Sequence, residues 1–490
     1  MSSNLSSKAI HDRLSHPVID ADGHYLEFGP SILDYLRRVG GDRVAEAFEG
    51  RNGRVAHVLN QTPEERREQR RAQEAFWAAP TKNTRDRATA MLPRLLYERL
   101  DELGFDFTVL YPTAGLGVAF IPDEELRRAT CRAFNMYVAD HFREFSDRMT
   151  PAAAIPMYTP AEAVEELEYA VRTLGLKVVL LGSMVRRPIP AVQRKAPAAG
   201  RYASWYDTLG LDSEYDYDPV WAKCVELGVS PTFHTGSRGI GFRVSPTNFT
   251  YNHIGHFAAA SEAVCKAIFM GGVTCRFPTL KFGFLEGGVG WACTLYADLI
   301  GHWKKRNRKA LEEVDPANLD RAMLSELIRR YGGEELARRS EASRSLDKGQ
   351  RGDAVGGIRE LDDFAACKIE RPEDIRDLFV RNFYFGCEAD DPINAWAFNR
   401  RANPYGSKLN TLFGSDIGHF DVVDMSKVLI EAHELVDDGL ITEDDFRDFV
   451  FESPVRFWGE ANPDFFKGTV VESAAAKLLQ QETAHNAAAD

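Results

Sequence analysis

The 490-residue chain lacks the features that mark membrane-spanning and secreted proteins. No apolar run approaches the roughly 20 residues that a transmembrane helix needs. The stretch "MSSNLSSKAIHDRLSH" contains no apolar segment of the kind found in signal peptides, so no signal peptide is expected. The seven cysteines are scattered and form no CxxC pair. They predict reduced thiols, mostly in the core, and a cytoplasmic protein.

The chain also lacks an excess of basic residues and a phosphate-binding loop. It carries 60 basic against 73 acidic residues, a formal net charge of -13. An acidic protein has no general attraction for nucleic acid or anionic membranes, so neither is expected as a partner. No GxxxxGK motif accompanies its glycine-rich turns. What is present is enough apolar material, 44% of residues, for a large core.

A repeated helix-and-strand pattern begins after residue 100. The segment "AEAVEELEYAVRTLG" places Val164, Leu167, Val171 and Leu174 at helical spacing and ends at Gly175. It leads into "LKVVLLGS", a continuous apolar run typical of a strand buried on both faces. "DPVWAKCVELG" before "VSPTFHTG", and "SEAVCKAIFMGGV" before "LKFGFLEGG", repeat the pattern. This alternation predicts an α/β protein with a parallel sheet.

Eight segments fit such strands, which predicts a closed (β/α)8 TIM barrel rather than an open sheet. The predicted strands are 18–24, 107–112, 149–156, 176–183, 229–235, 281–287, 382–389 and 411–418. The third is the weakest, because it is rich in alanine and proline.

Long insertions are predicted after strands 1 and 6, at about 28–92 and 303–380. Their charged runs are either solvated surface or functional elements, a lid or a subunit contact. Residues 16–462 are expected to form a single barrel domain. Residues 463–490, which are low in complexity, are expected to be a frayed tail or a contact arm.

Histidines and carboxylates terminate several of the predicted strands, where barrel enzymes place their chemistry. They are Asp22 and His24 after strand 1, His234 after strand 5, Glu286 after strand 6 and Asp416 after strand 8. Taken singly, each has a structural explanation, such as a hydrogen-bonded core histidine or an Asx turn. Taken together at one end of a barrel, the carboxylates would repel and would be costly to bury. A divalent cation removes that conflict, so these five residues are predicted metal ligands.

At these residues the chain resembles the amidohydrolase-related branch of the amidohydrolase superfamily, which includes aminocarboxymuconate-semialdehyde decarboxylase and benzoate-type decarboxylases. The resemblance rests on "VIDADGHYLE", "DPVWAKCVELGVSPTFHTG", "RFPTLKFGFLEGGVGW", "LFGSDIGHFD" and "ESPVRFWGEANPDFF". It implies a TIM barrel with metal at its C-terminal mouth. His234 and Asp416 match the family's strand-5 histidine and strand-8 aspartate. Asp22 and Glu286 stand where the family usually has histidines.

Both departures replace an imidazole with a carboxylate, which suits iron or manganese better than an all-nitrogen set would. Zinc stays open, as do one ion or two, because carboxylates can bridge metals. Some carboxylate-rich members of the branch look like non-haem iron or iron–manganese enzymes. The 2-aminoisobutyrate hydroxylating system, a complex of two related subunits, is one of them.

Further roles are assigned around this centre. Asp416 is the predicted proton shuttle, and His256 is a second acid or base, or else a histidine packed on the barrel. His419 can orient Asp416 or contact the substrate. Arg238 or Arg186 can bind a substrate carboxylate, although surface ion pairs are the commoner fate of such residues.

Three functional hypotheses follow. The leading one is a metal-dependent hydrolase or decarboxylase of a small organic substrate. The second is an iron or iron–manganese monooxygenase on the same barrel. The third is a non-catalytic paralogue that supports a catalytic partner, which the intact set of ligands disfavours. The insertions, the tail and the resemblance predict a homo- or hetero-oligomer.

Overall fold

A computed structural model describes residues 6–75, 80–200, 202–315, 318–342 and 362–489. Its main sheet contains eight parallel strands. They are Ile19–Tyr25 (β1), Phe107–Pro112 (β2), Met149–Ile155 (β3), Val178–Leu181 (β4), Pro231–Phe233 (β7), Phe282–Phe284 (β8), Phe383–Glu388 (β9) and Asn410–Gly414 (β10). They are neighbours in this order, and β5 and β6 form a separate hairpin that is described below. All eight predicted strands are present, which confirms the (β/α)8 barrel.

The first and last strands meet and nearly close the sheet into a barrel. The His24 amide donates to the Ile417 carbonyl at 2.7 Å, and the Asp416 amide donates to the Asp22 carbonyl at 2.9 Å. These two bonds lie beside the predicted ligands themselves. Closure of the barrel therefore also sets the spacing between the ends of β1 and β10.

Helices surround the barrel and follow from ordinary sequence signals. The longer ones are Gly29–Leu59, Pro93–Leu103, Glu124–Phe142, Pro160–Glu168, Asp218–Leu227, His256–Met270, Gly290–Arg306, Arg321–Ala342, Pro372–Asn382, Val428–Asp437 and Glu472–Ala489. The shorter ones are Ser7–His11, Pro63–Gln69, Thr84–Met91, Pro190–Lys195, Phe249–His253, Val273–Arg276, Ala395–Phe398, Glu443–Arg447 and Ser453–Gly459. None of the helices in the described ranges is both long and apolar enough to cross a bilayer.

The helix Pro93–Leu103 illustrates how sequence sets these elements. Proline opens it, and Leu96, Leu100 and Leu103 recur at helical spacing and are buried. Gly104 ends it with a φ of 81°, a left-handed conformation that glycine adopts without strain. These buried leucines pack the helix against the outside of the barrel.

A two-stranded antiparallel hairpin was not predicted from the sequence. It consists of Val185–Pro188 (β5) and Ser204–Asp207 (β6) and follows β4. Each strand is only four residues long, too short for a clear alternation signal.

The segment after residue 462 differs from the predicted tail. Phe465, Phe466, Val471, Ala475 and Leu478 are buried. The expectation followed the alanine-rich composition and overlooked these apolar residues: Ala475 and Leu478 lie on the helix Glu472–Ala489, and the rings of Phe465 and Phe466, which precede it, contact Phe107 on β2. The described part of this segment is therefore packed against the barrel.

Within the described residues, the first predicted insertion carries three helices, Gly29–Leu59, Pro63–Gln69 and Thr84–Met91, and the second carries Arg321–Ala342 after β8. Part of the charged run predicted in the second, residues 343–361, lies outside the described residues.

Candidate metal centre

The five predicted ligands converge at the carboxyl end of the barrel. His24 Nε2 lies 3.2 Å from His234 Nε2 and 3.5 Å from Asp22 Oδ1. It also lies 3.6 Å from Asp416 Oδ1. Glu286 Oε2 lies 2.8 Å from His234 Nε2. Four separate strand ends thus bring their polar atoms to one point.

The backbone is strained at two of these positions. Glu286 and Asp416 have φ values of 54° and 49°, in the left-handed region that residues with a Cβ seldom adopt. Such conformations cost about 1 kcal/mol or more and cluster at functional sites. Glu286 follows β8 and Asp416 follows β10, and this backbone conformation directs both carboxylates toward the inside of the barrel mouth.

The buried carboxylates lack the hydrogen bonds that would stabilise their charge. Asp22, Glu286 and Asp416 are each less than a tenth exposed. Within the described residues, Asp22 Oδ1, Glu286 Oε2 and Asp416 Oδ1 have no hydrogen-bond partner of good geometry. Burial, with repulsion from Asp416, holds the pKa of Glu286 well above its usual range, and burial does the same for Asp22. The protein atoms alone leave these groups poorly satisfied.

A divalent cation fits this arrangement. Ligands about 2.0–2.3 Å from a shared ion lie roughly 3 Å from one another, close to the separations seen here. Burial and the neighbouring His419 hold the pKa of His24 well below its usual range, so its ring is neutral and can coordinate. Candidate ligand atoms form two groups within 4.8 Å, Asp22–His24–His234 and His24–Glu286–Asp416–His419. Because the groups share His24, whose Nε2 can bind only one ion, they describe one centre, and a second ion would need a bridging carboxylate.

His419 belongs to this centre. Its Nδ1 lies 2.6 Å from Asp416 Oδ1, and its ring stacks on that of His24 with centroids 3.7 Å apart. Burial lowers the pKa of His419, but the Asp416 carboxylate outweighs burial and raises it to about 9. The pair can therefore hold a proton between an imidazole and a carboxylate beside the ligands.

His256 lies on the wall of the cavity above the centre. Its side chain is almost fully buried, and neither ring nitrogen has a hydrogen-bond partner among the described residues. Burial, with repulsion from Arg238, lowers the pKa of His256 to about 3, so the ring is neutral. A neutral imidazole can donate or accept a hydrogen bond from a ligand.

The two predicted substrate-binding arginines have different surroundings. Arg238 lines the cavity, with its Nε 2.8 Å from Glu74 Oε2 and its guanidinium 5.6 Å from the Phe249 ring centroid. Arg186 does not line the cavity; it lies on the exposed face of β5 and donates to Ser204 Oγ at 2.7 Å. The prediction for Arg186 finds no support, because strand alternation turns its side chain outward.

Sequence reasoning overlooked two contributors. Asp20 is fully buried and accepts hydrogen bonds from Thr108 Oγ1 at 2.6 Å and Ser415 Oγ at 2.8 Å. The available signal was its spacing of two residues from Asp22 and four from His24. Asp421, five residues beyond Asp416 in "SDIGHFD", lines the cavity, and burial raises its pKa to about 6.

The centre opens into a cavity of about 1030 Å³ bounded by described residues. Glu286, His419, His253, His256, Arg238 and Asp421 give it a polar end. Its other lining residues include Arg51, Val55, Leu59, Glu74 and Ala75 from the first predicted insertion. The insertion therefore supplies part of the wall above the barrel mouth.

A parallel barrel with histidines and carboxylates gathered at its carboxyl end defines the class of metal-dependent barrel enzymes. A family model described as amidohydrolase matches residues 19–336, more than half of the chain. The protein belongs to this amidohydrolase family.

Solved structures share the fold at low sequence identity. An amidohydrolase from Mycobacterium avium subsp. paratuberculosis K-10 is 19% identical with a TM-score of 0.52, over 91% of this chain and 100% of the other. A dihydroxybenzoic acid decarboxylase from Polaromonas sp. JS666, with bound manganese and the inhibitor 2-nitroresorcinol, is 15% identical with a TM-score of 0.50, over 92% and 99%. 5-Carboxyvanillate decarboxylase from Sphingomonas paucimobilis is 14% identical with a TM-score of 0.50, over 91% and 99%.

Proposed function

We propose that the protein is a metal-dependent hydrolase or decarboxylase of a small organic substrate. One observation carries this proposal. Three buried carboxylates converge at the base of a cavity with His24 and His234, whose lowered pKa values keep both rings neutral. One oxygen of each carboxylate has no hydrogen bond of good geometry among the described residues. The solved decarboxylases that share the fold, one of them with manganese, are consistent with it.

The proposed ligands are Asp22, His24, His234, Glu286 and Asp416. A bound divalent cation supplies Lewis acidity, which polarises a substrate oxygen and lowers the pKa of a coordinated water toward neutrality. The side chains around it divide the remaining work. Asp416 accepts a proton, and His419, in contact with it at 2.6 Å, holds the proton or passes it on. His256, neutral and without a hydrogen-bond partner among the described residues, hydrogen-bonds the substrate on the cavity wall.

Metal content and reaction type test the proposal together. The purified protein is stripped with chelator and reloaded separately with Mn²⁺, Zn²⁺ and Fe²⁺, and bound metal per chain is measured by mass spectrometry. Each form is then assayed for CO₂ release from aromatic carboxylates and for hydrolysis of amides and esters. His24→Ala should lose both metal and turnover, whereas His302→Ala, at an exposed helix position, should lose neither. Full turnover in the metal-free protein would refute the proposal.

An iron or iron–manganese oxygenase is the second candidate. The high carboxylate content of the ligand set, Asp22, Glu286 and Asp416, favours it, because carboxylates suit iron and manganese and can bridge two ions. It requires dioxygen and an external reductant. Oxygen consumption that depends on substrate and reductant, with iron bound, would select this candidate, whereas turnover under argon would select the first.

We further propose that the barrel, its insertions and the packed C-terminal helix form one domain, and that this domain assembles into oligomers. Light scattering coupled to gel filtration tests the assembly, and a monomer at micromolar concentration would refute it.

We also propose a cytoplasmic location. All seven cysteines are free and six are buried, which supports a reducing, cytoplasmic environment.

A further inference from the structure

The cavity above the metal centre has both polar and apolar lining residues. The polar residues include Glu286, His419, His256 and Arg238, together with Arg51, Glu74 and Asp123. The apolar residues, called the apolar wall below, include Val55, Leu59, Leu116, Ile121 and Leu126. The total volume of about 1030 Å³ is at the upper limit of ordinary small-molecule pockets. A single substituted ring at the metal centre would leave much of the apolar wall uncovered.

Two elements build the apolar wall. Leu116, Ile121 and Leu126 belong to the segment that follows β2, and Ile121 and Leu126 are buried. Val55 and Leu59 belong to the helix Gly29–Leu59 of the first predicted insertion. Arg51, Val55 and Leu59 are spaced four residues apart, which places them on one face of this helix, and that face lines the cavity.

Two apolar side chains of this helix are partly exposed. Val55 is 46% exposed and Leu59 is 37% exposed, although both line the cavity. Covering apolar surface is favourable in proportion to the area that is removed from water. A ligand with an apolar body would therefore gain affinity along this face, and a purely polar one would not.

Hydrogen bonds fix the insertion to the loop that follows β7. Arg66 Nε donates to the Pro246 carbonyl at 2.7 Å, and the Gln73 amide donates to the Ser245 carbonyl at 2.8 Å. Asn252 Nδ2 donates to the Gln73 carbonyl at 3.0 Å. Three bonds from separate residues hold the segment that follows the helix. These bonds fix the segment that also supplies Glu74 and Ala75 to the lining of the cavity.

We propose that the substrate is an amphiphile. Its polar group, a carboxylate or a related anion, lies at the metal centre, and an apolar body larger than a single ring lies against Val55, Leu59 and Leu126. This assignment rests on the proposed function, because it uses the metal centre as the anchor for the polar group. It extends that function by specifying the size and polarity of the substrate.

A homologous series of ligands tests the proposal. Benzoate and its 4-butyl, 4-hexyl and 4-octyl derivatives are titrated into the manganese-loaded protein by calorimetry. Each methylene buried on the wall should tighten binding about threefold to fourfold. A dissociation constant that does not change along the series, or failure of every member to bind, would overturn the proposal.

Substitutions in the apolar wall test whether the alkyl chain binds there. Val55→Asp and Leu59→Asp change partly exposed positions, so folding should be preserved, and each should abolish the chain-length dependence. Leu440→Asp, at a 47% exposed position that does not line the cavity, is the matched control and should retain the full dependence. Dependence that survives in both wall variants would refute the location.

The two proposals fail in different ways. Lack of metal uptake in the reloading experiment refutes the metal-dependent function. A flat series in a protein that has taken up metal refutes the amphiphile alone.

Discussion

Ser415 donates two hydrogen bonds to the carboxylate of Asp20, from its amide at 3.0 Å and from its hydroxyl at 2.8 Å. Asp20 lies on the first strand of the barrel, and Ser415 immediately precedes Asp416 after the last. Thr108 on β2 donates a third bond at 2.6 Å. One buried carboxylate thus links three neighbouring parts of the barrel directly beneath the proposed ligands.

Asp20→Asn should loosen the metal centre without removing a ligand. The amide offers one acceptor oxygen where the carboxylate offers two, so at least one of its donors loses its partner. We expect about 1–3 kcal/mol lower free energy of unfolding and about 10- to 100-fold weaker metal binding, the usual effect of groups that orient ligands. Urea denaturation and metal titration measure these effects. Metal affinity equal to the wild type would contradict this role.

A pair of threonine-to-valine variants provides a matched control. Thr108→Val removes a donor to Asp20, whereas Thr411→Val on β10 removes a buried hydroxyl that has no partner among the described residues. Only Thr108→Val should destabilise the protein, because losing an unpaired hydroxyl is close to neutral or favourable.

The proposed ligand and proton-shuttle roles separate in two variants. Asp416→Asn retains a coordinating oxygen but cannot accept a proton, so metal should largely remain while turnover falls roughly 10²-fold or more. Glu286→Gln should instead lower the metal content per chain, because it removes a charged ligand. Full activity in Asp416→Asn would exclude the shuttle, and unchanged metal in Glu286→Gln would exclude direct ligation.

The sequence was sufficient to predict the barrel strands and the convergence of polar side chains. Each prediction used a local pattern, an apolar run ended by a histidine or carboxylate, and parallel strands place such ends together. Whether these residues bind metal and transfer protons stays a prediction for the experiments above.

What escaped prediction depends on contacts between distant segments. The bonds of Asp20 to Thr108 and Ser415 join residues far apart in sequence. The contribution of Val55 and Leu59 to the cavity depends on how the first insertion folds back over the barrel. The outward direction of the Arg186 side chain could not be predicted either, because proximity in sequence to a strand end does not reveal which way a short hairpin turns its side chains.

The ion pair between His11 and Asp106 should make stability depend on pH. His11 Nε2 lies 2.8 Å from Asp106 Oδ2, which also accepts the Val18 amide at 2.8 Å at the entrance to β1. The hydrogen bond to Asp106 raises the pKa of His11. Burial opposes the ionised form of Asp106, but its hydrogen bonds from His11 and Val18 prevail and lower its pKa.

The raised pKa of His11 stabilises the fold below about pH 6.5 and ceases to do so as pH rises through the folded value. The lowered pKa of Asp106 stabilises it above about pH 3.8 and ceases to do so in acid. His11→Gln should therefore lower the free energy of unfolding more at about pH 5.5 than at about pH 8.5, by up to about 1 kcal/mol. Chemical denaturation at both values tests this, and an equal loss of stability at the two values would contradict it.

Arg66 should anchor the insertion that walls the cavity. Its side chain is buried and donates to the carbonyls of Pro246 and Gln61. Arg66→Met keeps much of the apolar stem but leaves both carbonyls without this donor. We expect faster amide exchange and proteolysis in residues 61–75, with the barrel strands unchanged. Arg67→Met, at an exposed neighbouring position, should leave both unchanged; equal protection in the two variants would refute the anchor.

Gly236 should be required for the position of His256. A Cβ at residue 236 would overlap the Nδ1 and Cε1 atoms of the His256 ring. A simple shift of the backbone cannot relieve this overlap, because two hydrogen bonds hold the His256 carbonyl in place. It accepts one from the Ser237 amide at 3.0 Å and one from the Ser237 hydroxyl at 2.8 Å. Gly236→Ala should therefore rotate the imidazole away from its place on the cavity wall.

We expect Gly236→Ala to keep its metal while losing about 10- to 100-fold in turnover, and to lose about 1–3 kcal/mol of stability from the forced overlap. Gly301→Ala is the control, because a Cβ there meets nothing within 4 Å and alanine favours the helix. The decisive measurement is a double-mutant cycle. In a His256→Ala background the overlap is gone, so adding Gly236→Ala should cost little further stability or turnover. If the two losses instead add in full, Gly236 does not act through His256, and the assigned position of that imidazole in the reaction is wrong.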